Sequence, residues 1–205
     1  MEGAEKVSDI ILRTAAPEDA PELLKLYAPY VEDTAISFET EVPSIEEFTD
    51  RMVKKLKRYP YIVAERDNEL LGYAYLSPFV GRAAYDWAAE TTIYLRRDCR
   101  HMGIGKMLYT ALENIARAQG IINLEACIGW TDIPDEHLTN NSAEYHEHLG
   151  YRMVGRFNKC GYKFGTWYDM VWMEKLLREH PETPQEIIPF PELGPNVLKN
   201  AGIKT

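Results

Sequence analysis

Nothing in this 205-residue chain approaches the roughly 20 consecutive apolar residues that span a bilayer, and residues 1–9 carry no apolar signal-peptide stretch. A cytoplasmic protein is expected. Cysteine is sparse: Cys99, Cys127 and Cys160 are odd in number and far apart, which implies neither a disulfide framework nor a C-x-x-C metal or redox pair. Positive charge is in deficit too. A formal net charge of -9 argues against the broad basic face that releases counterions from nucleic acid, and against binding to anionic membrane. There is no H-E-x-x-H, and His146 and His148 at i,i+2 spacing do not converge with His137 on one ion, so no metal is assigned.

Apolar, patterned sequence is what the chain has in quantity. With 45% hydrophobic and 27% charged residues it can build one compact domain around a sizeable core. Residues 10–13 read as a first strand, and residues 18–28 as a helix with Leu23, Leu24 and Tyr27 on one face, stopped by Pro29. Ser44 with Glu47 predicts a capping box ahead of the stripe Phe48, Met52, Val53 and Leu56, closed by Tyr59-Pro60. Residues 61–65, the polar turn Arg66-Asp67-Asn68 and residues 70–76 predict an antiparallel hairpin, which residues 85–95 extend into a meander. Next come a helix from Gly103 to about Ala118 closed by Gly120, a buried strand over 123–128, a short helix over 142–149 closed by Gly150, and strands near 151–163 and 168–175. The order predicts an α/β fold with a mixed, mostly antiparallel central sheet flanked by helices.

The domain is expected to cover residues 10–175, behind an N-terminal extension of residues 1–9. Over residues 176–205 the composition shifts. Pro181, Pro184, Pro189, Pro191 and Pro195 fall within fifteen residues and block regular structure. That leaves a tail that is partly disordered, or an arm whose Ile187, Ile188, Phe190 and Leu193 pack on the body or on a neighbouring subunit.

Between the strand ending near Leu95 and the long helix lies Arg100-His101-Met102-Gly103-Ile104-Gly105-Lys106. Two glycines admit an anion close to the backbone, while the free N–H groups and positive dipole end of the helix point at it. Arg96, Arg97, Arg100 and Lys106 reverse the chain's acidic sign locally, with only Asp98 opposing them. The turn reads as a pyrophosphate cradle for a nucleotide-bearing cofactor; an exposed helix-start turn is the plainer alternative.

The run Arg100 to Gly105 matches the signature R/Q-x-x-G-x-G/A, in order and setting, and the chain thereby resembles the GNAT superfamily of acyl-CoA N-acyltransferases. Three further stretches, residues 84–94, His146-Glu147-His148-Leu149-Gly150-Tyr151 and residues 161–169, resemble its phosphinothricin N-acetyltransferase branch. The resemblance implies acetyl-CoA as cofactor, with its pantetheine arm entering between two splayed strands. Backbone groups at Thr92, Ile93 and Leu95 would bond the arm. The turn Arg100, His101, Met102, Gly103, Ile104, Gly105 and Lys106 would hold the pyrophosphate, and Asn141, with Asn140 as a rival, would touch the arm from the far side. Phe38, Arg82, Tyr85 and Gly129 would surround a small-molecule amine, Arg82 meeting an acidic group; a solvated Arg82 and a core Phe38 are the bland alternatives.

Glu90 is then expected to take the amine's proton, and His146 to protonate the departing thiolate or help deprotonate the amine. On a pleated strand Glu90 shares a face with Thr92 and Tyr94. A carboxyl of pKa about 4.3 is a weak base toward an ammonium, so Glu90 should act through water or with a raised pKa. The chain departs from the branch on the acceptor side. Val80 replaces a second basic residue, and residues 131–138, with Asp132, Asp135 and Glu136, look like an inserted acidic loop that disfavours a dianionic acceptor. The expected activity is direct acetyl transfer to a small amino-acid-like amine in a ternary complex, by a homodimer. The alternatives are a non-catalytic acyl-CoA sensor, a transferase for peptide or polyamine amines, and a nucleotide-binding oxidoreductase; for the last, the glycine spacing is not G-x-G-x-x-G.

Overall fold

The computed structural model describes residues 9–99 and 102–204. In chain order they form β1 (Ile11–Thr14), α1 (Ala20–Glu32), α2 (Ile45–Leu56), β2 (Tyr61–Arg66), β3 (Glu69–Pro78), β4 (Ala88–Leu95), α3 (Ile104–Gln119), β5 (Asn123–Trp130), α4 (Asn141–His148), β6 (Arg152–Lys163), β7 (Thr166–Leu176), α5 (Pro195–Asn200) and β8 (Ile203–Lys204). The strands make one open sheet in the order β6-β7-β5-β4-β3-β2-β1-β8. Its ladders are antiparallel except β4 with β5 and β1 with β8.

Helices cover both faces, so β2 is buried on both, and its residues divide by alternation. Ile62 and Ala64 join the core under α3, with Leu108, Leu112 and Ile115. Tyr61 and Val63 join the core under α1 and α2, with Tyr27, Phe48 and Met52. Asp67 and Asn68, both at positive φ, make the tight turn between β2 and β3, a conformation short polar side chains tolerate. Gly103 opens α3 and Gly120 closes it, both left-handed.

Three sequence expectations are corrected. Helix α1 does not stop at Pro29 but runs to Glu32 with the proline inside. Burial of Tyr30 and Val31 offsets the interrupted bonding, and the Thr34 hydroxyl caps the Tyr30 carbonyl at 2.7 Å. At α2 the Ser44 hydroxyl accepts from the Glu47 N–H at 3.1 Å, but the Glu47 carboxylate pairs with Arg51, so only half of the capping box forms. The proline-rich segment is not without regular structure. It lays Ile187 and Phe190 into the core beside α3, forms α5 with Pro195 in its first turn, and ends as β8, in register with β1 through Leu12↔Ile203 and Arg13↔Lys204. Prolines sit where no N–H is required, while the apolar residues between them find a floor. Gln119 ties this arm down, its amide donating to the Arg58 carbonyl at 2.8 Å and the Ile188 carbonyl at 2.9 Å.

Because Phe190 is 6% exposed within this core, Phe190→Ala should lower the unfolding free energy by about 3–5 kcal/mol in urea titration. A loss under about 1 kcal/mol would mean that the arm is held only by its backbone bonds.

Candidate active site

The site begins where a ladder ends. Strands β4 and β5 pair at Ala88↔Asn123, Ala89↔Leu124 and Glu90↔Glu125, and then diverge. The Thr91 hydroxyl donates to the Glu125 carbonyl at 3.1 Å across the apex of the fork. The Arg96 N–H bonds to the Leu71 carbonyl, so ladder alternation turns the backbone groups of Thr92 and Tyr94 toward β3 and those of Ile93 and Leu95 into the fork. Thr92 therefore meets the fork with its side chain, not with the backbone groups the resemblance assigned. The Leu95 carbonyl already accepts from the Tyr30 hydroxyl at 2.5 Å. Between the strands lies a cavity of about 270 Å³.

Glu90, Thr92, Ile93, Phe38, Gly129 and His146, brought together from four regions of sequence, all line it. Glu90 stands at the apex on the face toward α1 and α2. Burial raises its carboxyl above the ordinary range, while the charge of Lys55, poised 4.7 Å above the Tyr75 ring, works in the other direction. On the opposite wall, His146 is buried, and its Nδ1 donates to the Ser142 carbonyl at 2.7 Å. That bond fixes the tautomer: Nε2 is the acceptor, and it takes the Tyr109 hydroxyl at 2.7 Å. Burial depresses the His146 pKa below 6.5 and lifts the Tyr109 phenol far above 10. At neutral pH the proton of this pair therefore sits on Tyr109.

The loop that carries Phe38 is fastened to the far hairpin. Lys163 donates to the carbonyls of Thr34 and Ser37 at 2.8 and 2.7 Å, and the Phe38 ring rests where any side chain at Gly161 would stand. Gly129 lets the Ala35 carbonyl come within 2.8 Å of where a Cβ would be.

The glycine turn lies at the other end of the fork. Leu95 and Tyr145 close over Gly105 so tightly that an added Cβ would meet the Tyr145 hydroxyl at 2.5 Å. That hydroxyl is buried without a partner among the described residues. Ile104 is core, Met102 packs against it, and Gly103 and Lys106 are exposed. Arg100 and His101 lie outside the described residues. Asn141 is exposed at the start of α4, whereas Asn140 exchanges two hydrogen bonds with the Thr131 backbone. Arg82 and Tyr85 do not line the cavity. Arg82 is exposed, and Tyr85 packs on Phe79, which packs on Trp172.

The acidic loop is less repulsive than its composition implies. Asp132 is paired with Arg156, and Asp135 accepts from the Tyr168 hydroxyl and from the N–H groups of His137 and Leu138. Tyr109 and Tyr75 also line the cavity without having been singled out in the sequence. Tyr109 sits on the core stripe of α3 beside Leu108, where its spacing reads as packing. A buried phenol in need of a partner was the available signal.

The sequence matches the acetyltransferase (GNAT) domain family over residues 12–172. It is 32% identical over 182 residues to phosphinothricin N-acetyltransferase of Streptomyces viridochromogenes, covering 89% of this chain and 95% of that one. It is equally 32% identical, over 165 residues, to an L-methionine sulfoximine/L-methionine sulfone acetyltransferase of Pseudomonas aeruginosa, covering 80% of this chain and 92% of the other. The fold superposes on a phosphinothricin acetyltransferase of Sinorhizobium meliloti solved in complex with acetyl-CoA, with a TM-score of 0.78 at 31% identity over 87% of this chain and 94% of that one. A strand fork closed by a glycine turn, a carboxyl at its apex and a family match across most of the length lead to one assignment: this chain belongs to the GNAT acetyltransferase family and is an N-acetyltransferase that uses acetyl-CoA.

Proposed function

We propose that the enzyme acetylates the primary amine of a small amino-acid-like acceptor, of the phosphinothricin or methionine sulfoximine type, directly within a ternary complex. The observation that carries this reading is the half-buried Glu90 carboxyl at the apex of an open strand fork. The residues present suit acetyl-CoA. The Ile93 backbone groups and the Leu95 N–H offer hydrogen bonds to an extended amide-bearing arm, and the orphaned Tyr145 hydroxyl beside Gly105 offers one to a phosphate. When bound, acetyl-CoA supplies an activated acetyl group and a thiol leaving group.

The protein's own part is proton handling and placement. An ammonium nitrogen gives up two protons on becoming an amide. Glu90, with its raised pKa, takes one and passes it to solvent; the other ends on the thiol. Tyr109 remains protonated at working pH with its one proton donated to His146, so the pair lines the cavity wall as a neutral unit. His146 holds that hydroxyl in place through Nε2. Phe38 and Gly129 bound the acceptor's seat, and the ion pair of Asp132 with Arg156 removes part of the barrier to an acidic acceptor.

The enzyme is proposed to act as a homodimer. The proline-rich arm is folded on its own body, so the surface offered to a second copy is the edge strand β6 with its hairpin, where Met153, Val154, Phe157, Tyr162 and Trp167 are exposed.

Glu90→Gln should lower kcat by about 100-fold to 10,000-fold while coenzyme A affinity measured by calorimetry is unchanged. Retained turnover would take Glu90 out of the chemistry. For His146, the folded pKa lies below the unfolded value of 6.5, so the unfolded chain binds more protons below that pH. Its contribution to stability is complete above about pH 6.5 and declines as pH falls toward the folded pKa. Imidazole NMR should find the ring still neutral, with Nδ1 protonated, at pH 6.5; a cationic ring there would contradict the Tyr109 assignment. Phe157→Asp should shift light scattering from dimer to monomer, and a variant that stays dimeric would move the interface elsewhere.

A further inference from the structure

We propose that the C-terminal arm completes the coenzyme A site, with the groove between β1, α3 and β8 receiving the adenosine and Lys199 and Lys204 holding its 3′-phosphate. The groove, about 650 Å³, is separate from the cavity in the fork but continuous with the glycine turn, because Gly103 and Lys106 belong to both. Its volume falls within the range of small-ligand sites. Ile10, Leu12, Met107, Ala111, Ala201 and Ile203 give it apolar walls, the kind of surface a flat purine covers.

Its charge is one-sided. Lys106, Lys199 and Lys204 line it, and no carboxylate does so among the described residues, in a chain whose net charge is -9. Such a patch complements a phosphate monoester rather than a neutral ligand. From Gly103 to Thr110 the groove runs along α3 for about 10 Å, the reach of one nucleoside from a diphosphate seated at the helix start. Arm residues are placed there by pairing: β8 adds to β1 through Leu12↔Ile203, and left-handed Gly202 turns the chain from α5 into β8. Lys199 and Lys204 therefore stand on either side of that turn, at the groove. Both lie beyond residues 12–172, the part matched to the GNAT family.

The inference rests on acetyl-CoA as donor, and the test separates the two. Calorimetry on the full chain compares coenzyme A, 3′-dephospho-coenzyme A and pantetheine. The wild type should bind coenzyme A about tenfold tighter than the dephospho form, a modest factor because the lysines are exposed. The double variant Lys199→Ala with Lys204→Ala should lose most of that preference, with its affinity for the dephospho form unchanged. Thr110→Trp, at an exposed position of the groove, should weaken both nucleotide-bearing ligands several-fold and leave pantetheine unaffected. Equal affinity of the wild type for the two coenzymes would overturn the proposal. So would a double variant that keeps full preference. Failure of all three ligands to bind would strike at the donor, not at the arm.

Discussion

The structure depends on an interruption: a parallel ladder that stops at Glu90↔Glu125. Backbone amides and carbonyls removed from water need partners, and a sheet normally provides them. Here β4 is satisfied on one edge by β3, β5 on one edge by β7, and the facing edges open onto a cavity. The surrounding features keep the gap from closing. The Thr91 hydroxyl bridges its apex, the Tyr30 hydroxyl anchors its far end at Leu95, and Tyr109 and His146 wedge in from the α3 face. An extended, amide-bearing molecule is the natural complement to such a gap. The N-terminus of α3 closes its open end, where an anion is favoured.

The second determinant is the medium around Glu90. Tyr61, Tyr73, Tyr75 and Tyr94 form a stacked and tilted layer on the acceptor side, and burial raises the pKa of each phenol. A wall of neutral, protonated phenols is a poor solvent for a carboxylate, which is why the Glu90 carboxyl is lifted. Lys55 limits that effect. A cation resting on the Tyr75 ring pulls the Glu90 carboxyl down against the larger upward push of burial, and the net shift is upward.

Much of this was legible in the sequence, because the periodic elements and the glycine turn obey local rules. The β-α-α-β-β-β-α-β-α-β-β order, the caps at Gly103 and Gly120, and the face shared by Glu90, Thr92 and Tyr94 follow from spacing alone. What was not legible needs three dimensions. Pro29 reads as a stop because the burial that offsets it, of Tyr30 and Val31 against the sheet, is tertiary. Tyr109 reads as core because its partner, His146, is on another helix. The charges of the inserted loop read as a repulsive patch because Arg156 and Tyr168, which engage Asp132 and Asp135, come from the distant hairpin. Which backbone groups of β4 face the fork is fixed by its register with β3, and no pattern in β4 reveals it.

The two outer edges of the sheet are treated differently, and this asymmetry bears on assembly. At one edge β8 pairs with β1 and is itself only two residues long, so little unpaired backbone remains to recruit another strand. At the other, β6 is twelve residues long and mostly exposed, interrupted by a register shift between Phe157 and Gly161. Asp169 sits at that irregularity, accepting from Arg156 and from the Lys159 N–H, with Lys159 at positive φ. A bulge fixed in this way bends the strand out of plane and works against plain edge-to-edge extension. The exposed side chains flanking it, Phe157 and Tyr162 among them, thus leave this edge a surface for side-chain packing rather than for a continued ladder.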